Sequence, residues 1–336
     1  MAMDRDLAVA FVRAWRPGGR GTISGWEMMA ATGARGLRVL HETGAFETFT
    51  LTEANPRAFE VLTRNAQGFA GARPVRADAH APGDREPYDY VDLDPYGTPA
   101  PLVPRALAAV RPGGVLAVTA TDMPVLAGAQ PAACRRRYGS QPVRGRLGPE
   151  GGLRILLAFL ERSATERGRS IRPLLAYVRG HHVRAYVEVR DAPGSAGRVG
   201  PIDSASWAGP YLGPDPRYGP LWLGPLFDPE IVGRLEPPPA AAEPRACAAF
   251  VAVVREESSA DVPFYYEPNT LAGRLGLPFP PSRSDLIDGL RAAGYRATRT
   301  HARPEGVRSD APRRAVEEIA RRRATPGQSQ KARVRA

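Results

Sequence analysis

The chain of 336 residues contains little cysteine. Its two cysteines, Cys134 and Cys247, lie far apart, which excludes a framework of disulfide bonds and a zinc site of four cysteines. Both are expected to be small buried apolar residues. So few cysteines fit a protein of the reducing cytoplasm.

Long apolar segments are also missing. The longest runs, such as residues 246–254, are about half of the ~20 residues that a membrane helix needs. The first 15 residues carry Asp4, Arg5, Asp6 and Arg13 where a signal peptide would have an apolar run. We therefore expect a cytoplasmic protein without a membrane partner, and nothing in the sequence points to a protein partner.

Lysine is almost absent, whereas arginine is abundant. Basic residues outnumber acidic ones by 46 to 35, the formal net charge is +11, and Lys331 is the single lysine. A genome rich in arginine codons explains the choice of arginine, but it does not explain the excess of base over acid. Because arginine binds phosphate through two hydrogen bonds and stacks on bases, the excess favours a polyanionic partner. A nucleic acid fits better than a membrane surface.

Strand and helix patterns alternate in the first half of the chain, and 43% of residues are apolar, enough for a sizeable core. Strands are predicted at 23–30, 46–52, 75–77, 88–93 and 115–120, and helices at 36–43, from Asn55-Pro56, and at 102–110. The alternation indicates a parallel, doubly wound α/β sheet. Such sheets bind ligands at the carboxyl ends of their strands.

The second half extends this sheet and adds a smaller α+β unit. A helix is predicted at 151–167, followed by an antiparallel strand pair at 174–178 and 183–189, while the Gly- and Pro-rich residues 191–220 are expected to form a long loop. Later elements are helices at 269–275 and 282–293, with Ser282 as N-cap, a strand near 295–301 and a basic helix at 311–323. The last dozen residues are predicted to form a disordered basic tail.

Polar and glycine residues fall in order at the predicted strand ends. Gly33 and Gly36 let the backbone approach a ligand closely, although an ordinary strand-to-helix turn has the same pattern. Glu53 ends the second strand, roughly 20 residues after Gly33, where an acidic side chain accepts hydrogen bonds from ribose hydroxyls. Asp78 ends the third strand, where a carboxylate can meet an adenine amino group.

Arg35 in the first loop favours one nucleoside cofactor over another. The full GxGxxG pattern that places a pyrophosphate on the helix N-terminus is missing. An arginine suits a carboxylate better, and the methionyl part of S-adenosylmethionine carries one. The pattern therefore favours S-adenosylmethionine, with NAD as the alternative. Since a sulfonium carries the methyl group, no metal is required.

The segment Asp94-Pro95-Tyr96 follows the fourth strand and is typical of a site that methylates an exocyclic base amine, although a solvated Asp-Pro turn would look the same. A carboxylate can draw electron density to the amine and take its proton. The Pro95 carbonyl is a candidate acceptor for the second N–H, and Tyr96 can stack on an extruded base. Asp92, on the same face of the strand, is the alternative to Asp94.

Short motifs along almost the whole chain match one known family. They lie at residues 4–7, 31–36, 55–58, 92–99, 118–122, 134–139, 152–156, 219–226, 263–266 and 294–301. In these motifs the chain resembles the tRNA guanosine-26 N2-dimethyltransferases in their archaeal form. The pairing of the Asp94 motif with residues 219–226 is the most specific part of the resemblance.

The resemblance implies both an architecture and an activity. It implies a Rossmann-like class I methyltransferase domain over residues 1–226, whose Gly/Pro-rich loop is 191–218. A smaller family-specific α+β domain would follow over 227–323, and the disordered basic tail expected from composition would occupy 324–336. The implied activity is transfer of one or two methyl groups from S-adenosylmethionine to N2 of guanosine 26 in tRNA, which makes tRNA the expected partner.

The resemblance also implies roles for single residues. By motif position, Arg5 and Arg35 would hold the methionine moiety, Glu53 the ribose, Asp78 with Ala79 the adenine, and Asp94 would be the catalytic carboxylate. Many members bind zinc through cysteines before the 219–226 motif, but residues 191–218 contain none, so no metal is predicted. Two alternatives stay open: an amino-methyltransferase of DNA adenine or cytosine, and a catalytically inactive tRNA-binding relative.

Overall fold

The computed structural model describes residues 2–16, 23–81, 86–192, 194 and 197–324. The strands are β1 (Ile23–Glu27), β2 (Phe46–Thr52), β3 (Ala72–Val75), β4 (Tyr88–Leu93), β5 (Val110–Ala120), β6 (Ser170–Arg179), β7 (His182–Arg190), β8 (Val199–Asp203), β9 (Arg217–Trp222), β10 (Ala297–Arg299) and β11 (Val307–Ser309). The helices are α1 (Ala2–Trp15), α2 (Gly36–Thr43), α3 (Pro56–Ala66), α4 (Val103–Ala109), α5 (Met123–Leu126), α6 (Pro131–Tyr138), α7 (Gly148–Thr165), α8 (Pro229–Arg234), α9 (Pro244–Glu257), α10 (Pro268–Leu275), α11 (Arg283–Ala292) and α12 (Arg313–Arg323).

A seven-stranded sheet in the order β3-β2-β1-β4-β5-β7-β6 forms the centre of the molecule. Neighbouring strands from β3 to β5 are parallel, and β7 runs antiparallel to both β5 and β6. The predicted doubly wound α/β sheet with an antiparallel strand pair is confirmed. Because the strand order reverses between β1 and β4, a crevice is expected outside their carboxyl ends.

Local sequence signals set several helix starts. The Asn55 side chain accepts hydrogen bonds from the N–H groups of Arg57 and Ala58, and Pro56 occupies the first turn of α3. Ser282 likewise accepts a hydrogen bond from the Asp285 N–H at the start of α11, as predicted. Since these caps depend on neighbouring residues alone, the sequence sufficed to find them.

Several sequence-based assignments were wrong in position or type. Strand β1 ends at Glu27 instead of residue 30, and β5 begins at Val110 instead of residue 115. The third strand was predicted at 75–77, but β3 ends at Val75, because residues 49–52 of β2 pair with the Ala72–Val75 segment despite its proline and arginine. Residues 191–220 were predicted to form a loop, but β8 pairs antiparallel with β9 there. Gly and Pro in this segment obscured the strand pattern. The predicted tail lies almost wholly outside the described residues.

Helix α1 is packed into the core and joins distant parts of the chain. The Phe11 ring stacks on that of Tyr186 in β7, with centroids 4.0 Å apart. The Asp6 carboxylate accepts a 2.7 Å hydrogen bond from Arg38 of α2 and hydrogen bonds from the backbone N–H groups of Ala242 and Glu243. The amino-terminal helix thereby holds the sheet, α2 and the segment before α9 together.

Apolar side chains form two clusters in the described part of the chain. One extends from Met3 to Tyr265 and includes both faces of the large sheet, and the other combines residues between Tyr266 and Ala320. Cys134 and Cys247 are free and buried, so their predicted burial is confirmed. The domain boundary expected at residue 226 remains a prediction. None of the described helices is long and apolar enough to cross a membrane.

A group of buried ions ties helix α7 to the last strands. We call Glu150, Arg154, Glu257 and Arg308 the junction cluster. Arg308 donates to Glu150 at 2.7 Å and to Glu257 at 2.8 Å, Arg154 donates to Glu150 at 2.8 Å, and all four side chains are fully buried. His301 contacts Glu257 at 2.6 Å. Because unpaired buried charges are costly, this matching fixes how the two parts of the chain meet.

Candidate functional site

The site lies where the carboxyl ends of β1, β2 and β4 meet. The loop after β1 contains Gly33 and Arg35, while Glu53 directly follows β2 and Asp94 directly follows β4. Since β1 pairs with both neighbours in parallel, these predicted residues end at one edge of the sheet. Asp78 follows β3, the next strand along the same edge.

The first loop is held in a conformation that ordinary residues avoid. Ala31 has a φ of +47°, and Gly33 has a φ of +77°. A side chain at Gly33 would also collide with Leu62, whose Cδ1 lies 2.5 Å from the Cβ position. The Ala31 N–H donates to Glu53 Oε2 at 2.8 Å, and the Asn55 N–H donates to Oε1 at 2.7 Å. Strained backbone of this kind is concentrated at ligand-binding sites.

Asp94 and Arg35 form an ion pair. Arg35 Nη1 lies 2.5 Å from Asp94 Oδ2, and 18% of the Asp94 side chain is exposed to solvent. Among the described residues nothing donates to Asp94 Oδ1. Arg35 thus neutralises one carboxylate oxygen and leaves the other free to accept a hydrogen bond from a ligand.

Asp92, the alternative carboxylate, is engaged inside the protein. Arg184 of β7 approaches it at 2.5 Å, the Tyr90 hydroxyl donates to it at 2.8 Å, and the side chain is 1% exposed. Burial alone would raise the pKa of Asp92, but Arg184 and Arg35 outweigh burial and hold it below its usual range. Asp92 therefore orients the two arginines, whereas Asp94 faces the crevice.

Glu27 is a buried acid that the sequence analysis missed. It ends β1, is 3% exposed, and its Oε2 accepts a hydrogen bond of 3.1 Å from the Gly36 N–H. Burial raises the pKa of Glu27 to about 8, with Asp92 and Asp94 adding to this and Arg35 opposing it. The available signal was an acidic residue at the end of an otherwise apolar strand. We call Glu27, Arg35, Asp92, Asp94 and Arg184 the site cluster.

A cleft of about 680 Å³ opens beside this cluster. It begins at Tyr96, two residues beyond Asp94, and the Tyr96 side chain is fully exposed. Its lining residues are Tyr96, Gly97, Thr121, Asp122, Pro124, Val125, Gln130, Arg137, Arg179, Gly180, His181 and His182. Asp94 is not among these lining residues, and Tyr96 is the lining residue that lies nearest to it along the chain.

One wall of the cleft is fixed by hydrogen bonds between successive strand ends. The Gly97 N–H donates to Thr121 Oγ1 at 2.7 Å, which ties the segment after β4 to that after β5. The Asp122 carboxylate accepts hydrogen bonds from the Tyr138 hydroxyl at 2.9 Å and from Arg137 at 3.2 Å. This wall is therefore preorganised before any substrate arrives.

The β6–β7 turn forms the other wall of the cleft. Asp4 of α1 contacts Arg179 and His182, each at 2.9 Å, and so fixes the turn. His181 and His182 lie at this turn, and both line the cleft.

The remaining predicted cofactor residues lie around the same edge. Asp78 is exposed and accepts a hydrogen bond of 2.8 Å from the His80 N–H, and Ala79 beside it is buried. Arg5 is half-buried on α1, next to the residue that fixes the β6–β7 turn.

Comparison with known proteins assigns the family. The family model for N2,N2-dimethylguanosine tRNA methyltransferases matches residues 1–200 and 213–321. The chain belongs to this family.

Relatives within the family match nearly full length. The tRNA (guanine(26)-N(2))-dimethyltransferase of Thermococcus kodakarensis is 33% identical over 356 residues, covering 95% of this chain and 91% of the relative. The enzyme of that name from Methanospirillum hungatei is 34% identical, covering 95% and 89%. The structure of Trm1 from Pyrococcus horikoshii with S-adenosyl-L-methionine superposes with a TM-score of 0.83 at 29% identity, covering 95% of this chain and 92% of that one.

The family's class of cofactor fits the residues at the sheet edge. Arg35 uses Nη1 on the two aspartates, but its buried Nε has no hydrogen-bond partner in the described part of the chain. A buried donor without an acceptor is unfavourable, and a ligand carboxylate would satisfy it. In the described ranges, no group of three or more His, Cys, Asp or Glu side chains is placed to hold a metal ion.

Proposed function

We propose that the chain transfers one or two methyl groups from S-adenosylmethionine to N2 of guanosine 26 in tRNA. The observation that carries this is Asp94, which has one free carboxylate oxygen at the sheet edge of a methyltransferase fold, beside an open cleft that starts at Tyr96. The family match over almost the whole chain supports the tRNA substrate and the base position.

The cofactor side of the site is assigned as follows. Arg35 and Arg5 hold the methionine moiety, and the free Nε of Arg35 supports its part in this. Glu53 binds the ribose, since backbone N–H groups on both sides hold its carboxylate in place while its oxygens keep further lone pairs. Asp78 with Ala79 holds the adenine. The bound cofactor supplies a methyl group on a sulfonium.

The chain's own residues prepare the amine. Asp94 accepts a hydrogen bond from the guanine N2–H through its free oxygen and takes the proton as the new N–C bond forms. The Pro95 carbonyl accepts from the second N–H. Tyr96, whose ring is open to solvent, stacks on the extruded base and holds it in line. Arg35 pairs with the other carboxylate oxygen of Asp94.

Methylation of a tRNA transcript, with a variant transcript and duplex DNA for comparison, tests this proposal directly. We expect the purified protein with labelled S-adenosylmethionine to methylate an unmodified tRNA transcript, and nucleoside mass spectrometry to place N2-methylguanosine at position 26. The control transcript has adenosine at that position and should stay unlabelled. Label in duplex DNA alone would favour the DNA methyltransferase alternative, and tRNA binding without methylation would favour the inactive relative.

The arginine excess adds a second expectation. Since phosphate binding releases counterions, tRNA affinity should fall steeply as salt rises, by about 10³–10⁵ between 50 and 200 mM for six to ten phosphate contacts. Filter binding over this range measures the slope. A flat response would contradict a binding mode based on the phosphate backbone.

A further inference from the structure

A second cavity, which we call the arginine pocket, lies apart from the cleft. It has a volume of about 150 Å³ and is formed by three stretches of chain, residues 144–147, 210–213 and 265–274. Arg144, Arg146 and Arg274 contribute to its lining. At ~30 Å³ per water molecule the pocket holds about five waters, which is the scale of a single phosphate group.

The pocket carries more positive than negative charge. The side chains of Arg144 and Arg146 are 48% and 54% exposed, and Arg274 is exposed as well. The acidic lining residue is Glu267, which is 3% exposed at its side chain and is neutralised by Arg146 at 2.7 Å and Arg303 at 3.2 Å. Asp215 approaches Arg144 only at 3.8 Å. An anion is the ligand that this balance favours.

The aromatic side chains of the pocket leave no open face for a base. Arg274 and Arg313 lie over the Tyr211 ring, 4.7 and 4.5 Å from its centroid. Tyr265 and Tyr266 are 1% and 2% exposed. The buried Tyr266 hydroxyl has no hydrogen-bond partner among the described residues, so a donor is left for an incoming oxygen. These features fit a phosphate and not a stacked base.

Exposed arginines lie along the chain between a residue that lines the cleft and one that lines the pocket. Arg135, Arg136 and Arg137 project from α6, and Arg137 lines the cleft beside Tyr96. Arg144 follows seven residues later and lines the pocket, so their Cα atoms are at most about 25 Å apart. A single RNA strand that places its base in the cleft can therefore pass along this run.

We propose that the arginine pocket binds a backbone phosphate of the tRNA, away from the guanosine that is methylated. The inference rests on the proposed function, and it adds a contact that positions the RNA without reading its sequence. Guanidinium groups on phosphate are favoured for this task because they bind through paired hydrogen bonds.

Single variants test the pocket. Arg144→Ala is the first choice. The one described ion pair of Arg144 is long, so removing this side chain should leave the fold intact. Arg274→Ala is the second choice. Arg64→Ala removes an exposed arginine of α3 that lines neither cavity, and serves as the control. We expect Arg144→Ala to weaken tRNA binding about tenfold, to reduce the salt slope by about one, and to raise KM more than it lowers kcat. Arg144→Lys should recover part of the loss.

Phosphate ethylation interference locates the contact. Ethylation of one tRNA phosphate outside position 26 should weaken binding to the original protein and have no effect on binding to Arg144→Ala. If Arg144→Ala and Arg274→Ala behave like Arg64→Ala while the original protein methylates tRNA, the pocket assignment is wrong and the proposed function stands. If the original protein neither binds nor methylates tRNA, both are wrong.

Discussion

The junction cluster and the site cluster both bury arginines against carboxylates, but they differ in completeness. In the junction cluster all four side chains are fully buried and each charge meets an opposite one at 2.7–2.8 Å. In the site cluster Asp94 is partly exposed, Arg35 Nε has no partner among the described residues, and Glu27 has a raised pKa. The four fully paired side chains therefore serve the fold, while the unsatisfied groups of the site cluster lie at the sheet edge where a ligand is expected.

The two clusters also respond to pH in opposite directions. Burial alone would raise the pKa of Glu257 in the junction cluster, but His301 and Arg308 lower it to about 2. Its stabilising effect is therefore present above the unfolded value of 4.5 and is lost as the pH falls towards 2. The pKa of Glu27 is raised to about 8, so its ionisation weakens the fold as the pH rises from 4.5 through 8.

The largest effects are expected from replacing the two aspartates of the site cluster, one on activity and the other on stability. Asp94→Asn should lower kcat by about 10²–10⁴, since the general base is lost, while S-adenosylmethionine binding stays nearly intact. Asp92→Asn should instead lower the free energy of unfolding by about 3–5 kcal/mol, because Arg184 is left buried without its anion. Methylation assays, calorimetric cofactor binding and urea unfolding measure these quantities. Full activity of Asp94→Asn would refute its catalytic role.

Breaking the junction cluster should affect stability alone. Arg308→Ala leaves Glu150 and Glu257 buried without their shared cation, and we expect a loss of about 3–5 kcal/mol in the free energy of unfolding. Arg283→Ala, an exposed arginine in the same part of the chain, is the control. Equal unfolding midpoints for the two variants would show that the junction cluster does not hold the structure together.

Variants of Tyr96 test whether the substrate base stacks in the cleft next to the site cluster. Its ring is fully exposed, so Tyr96→Ala should unfold like the original protein yet lose about 1–3 kcal/mol of base stacking, seen as a higher KM for tRNA. Tyr96→Phe keeps the ring and should restore the KM. An unchanged KM in Tyr96→Ala would mean that the base does not stack there.

The last prediction concerns the pH dependence that Glu27 contributes. Glu27→Gln keeps an oxygen for the Gly36 N–H but cannot ionise, so it should flatten the decline in stability between pH 4.5 and 8. Urea unfolding across this range provides the measurement, with Glu257→Gln for contrast. Parallel pH profiles of the Glu27→Gln variant and the original protein would show that Glu27 is not held in its neutral form.

Sequence reasoning succeeded where short-range patterns carry the information. Strands β2 and β4 were predicted with their observed bounds, and the N-caps Asn55 and Ser282 were identifiable from their neighbours. It failed where a partner strand decides which segment forms a strand, as for β3 and for β8 with β9. It also missed Glu27 and the wall formed by the β6–β7 turn, because neither carries a motif and each acquires its role from burial or from a distant strand.

By itself, the sequence of this protein determined the order of the first five strands of the large sheet and placed Gly33, Arg35, Glu53, Asp78 and Asp94 after strands, because hydrophobic periodicity and turn residues act over a few positions. Only the tertiary structure decided which carboxylate is paired inside the protein and which one stays partly exposed. Arg184 lies 92 residues after Asp92 in the chain, yet it takes that carboxylate and leaves Asp94 at the crevice. Only folding sets the distances between charges, and those distances separate a structural ion pair from a reactive one.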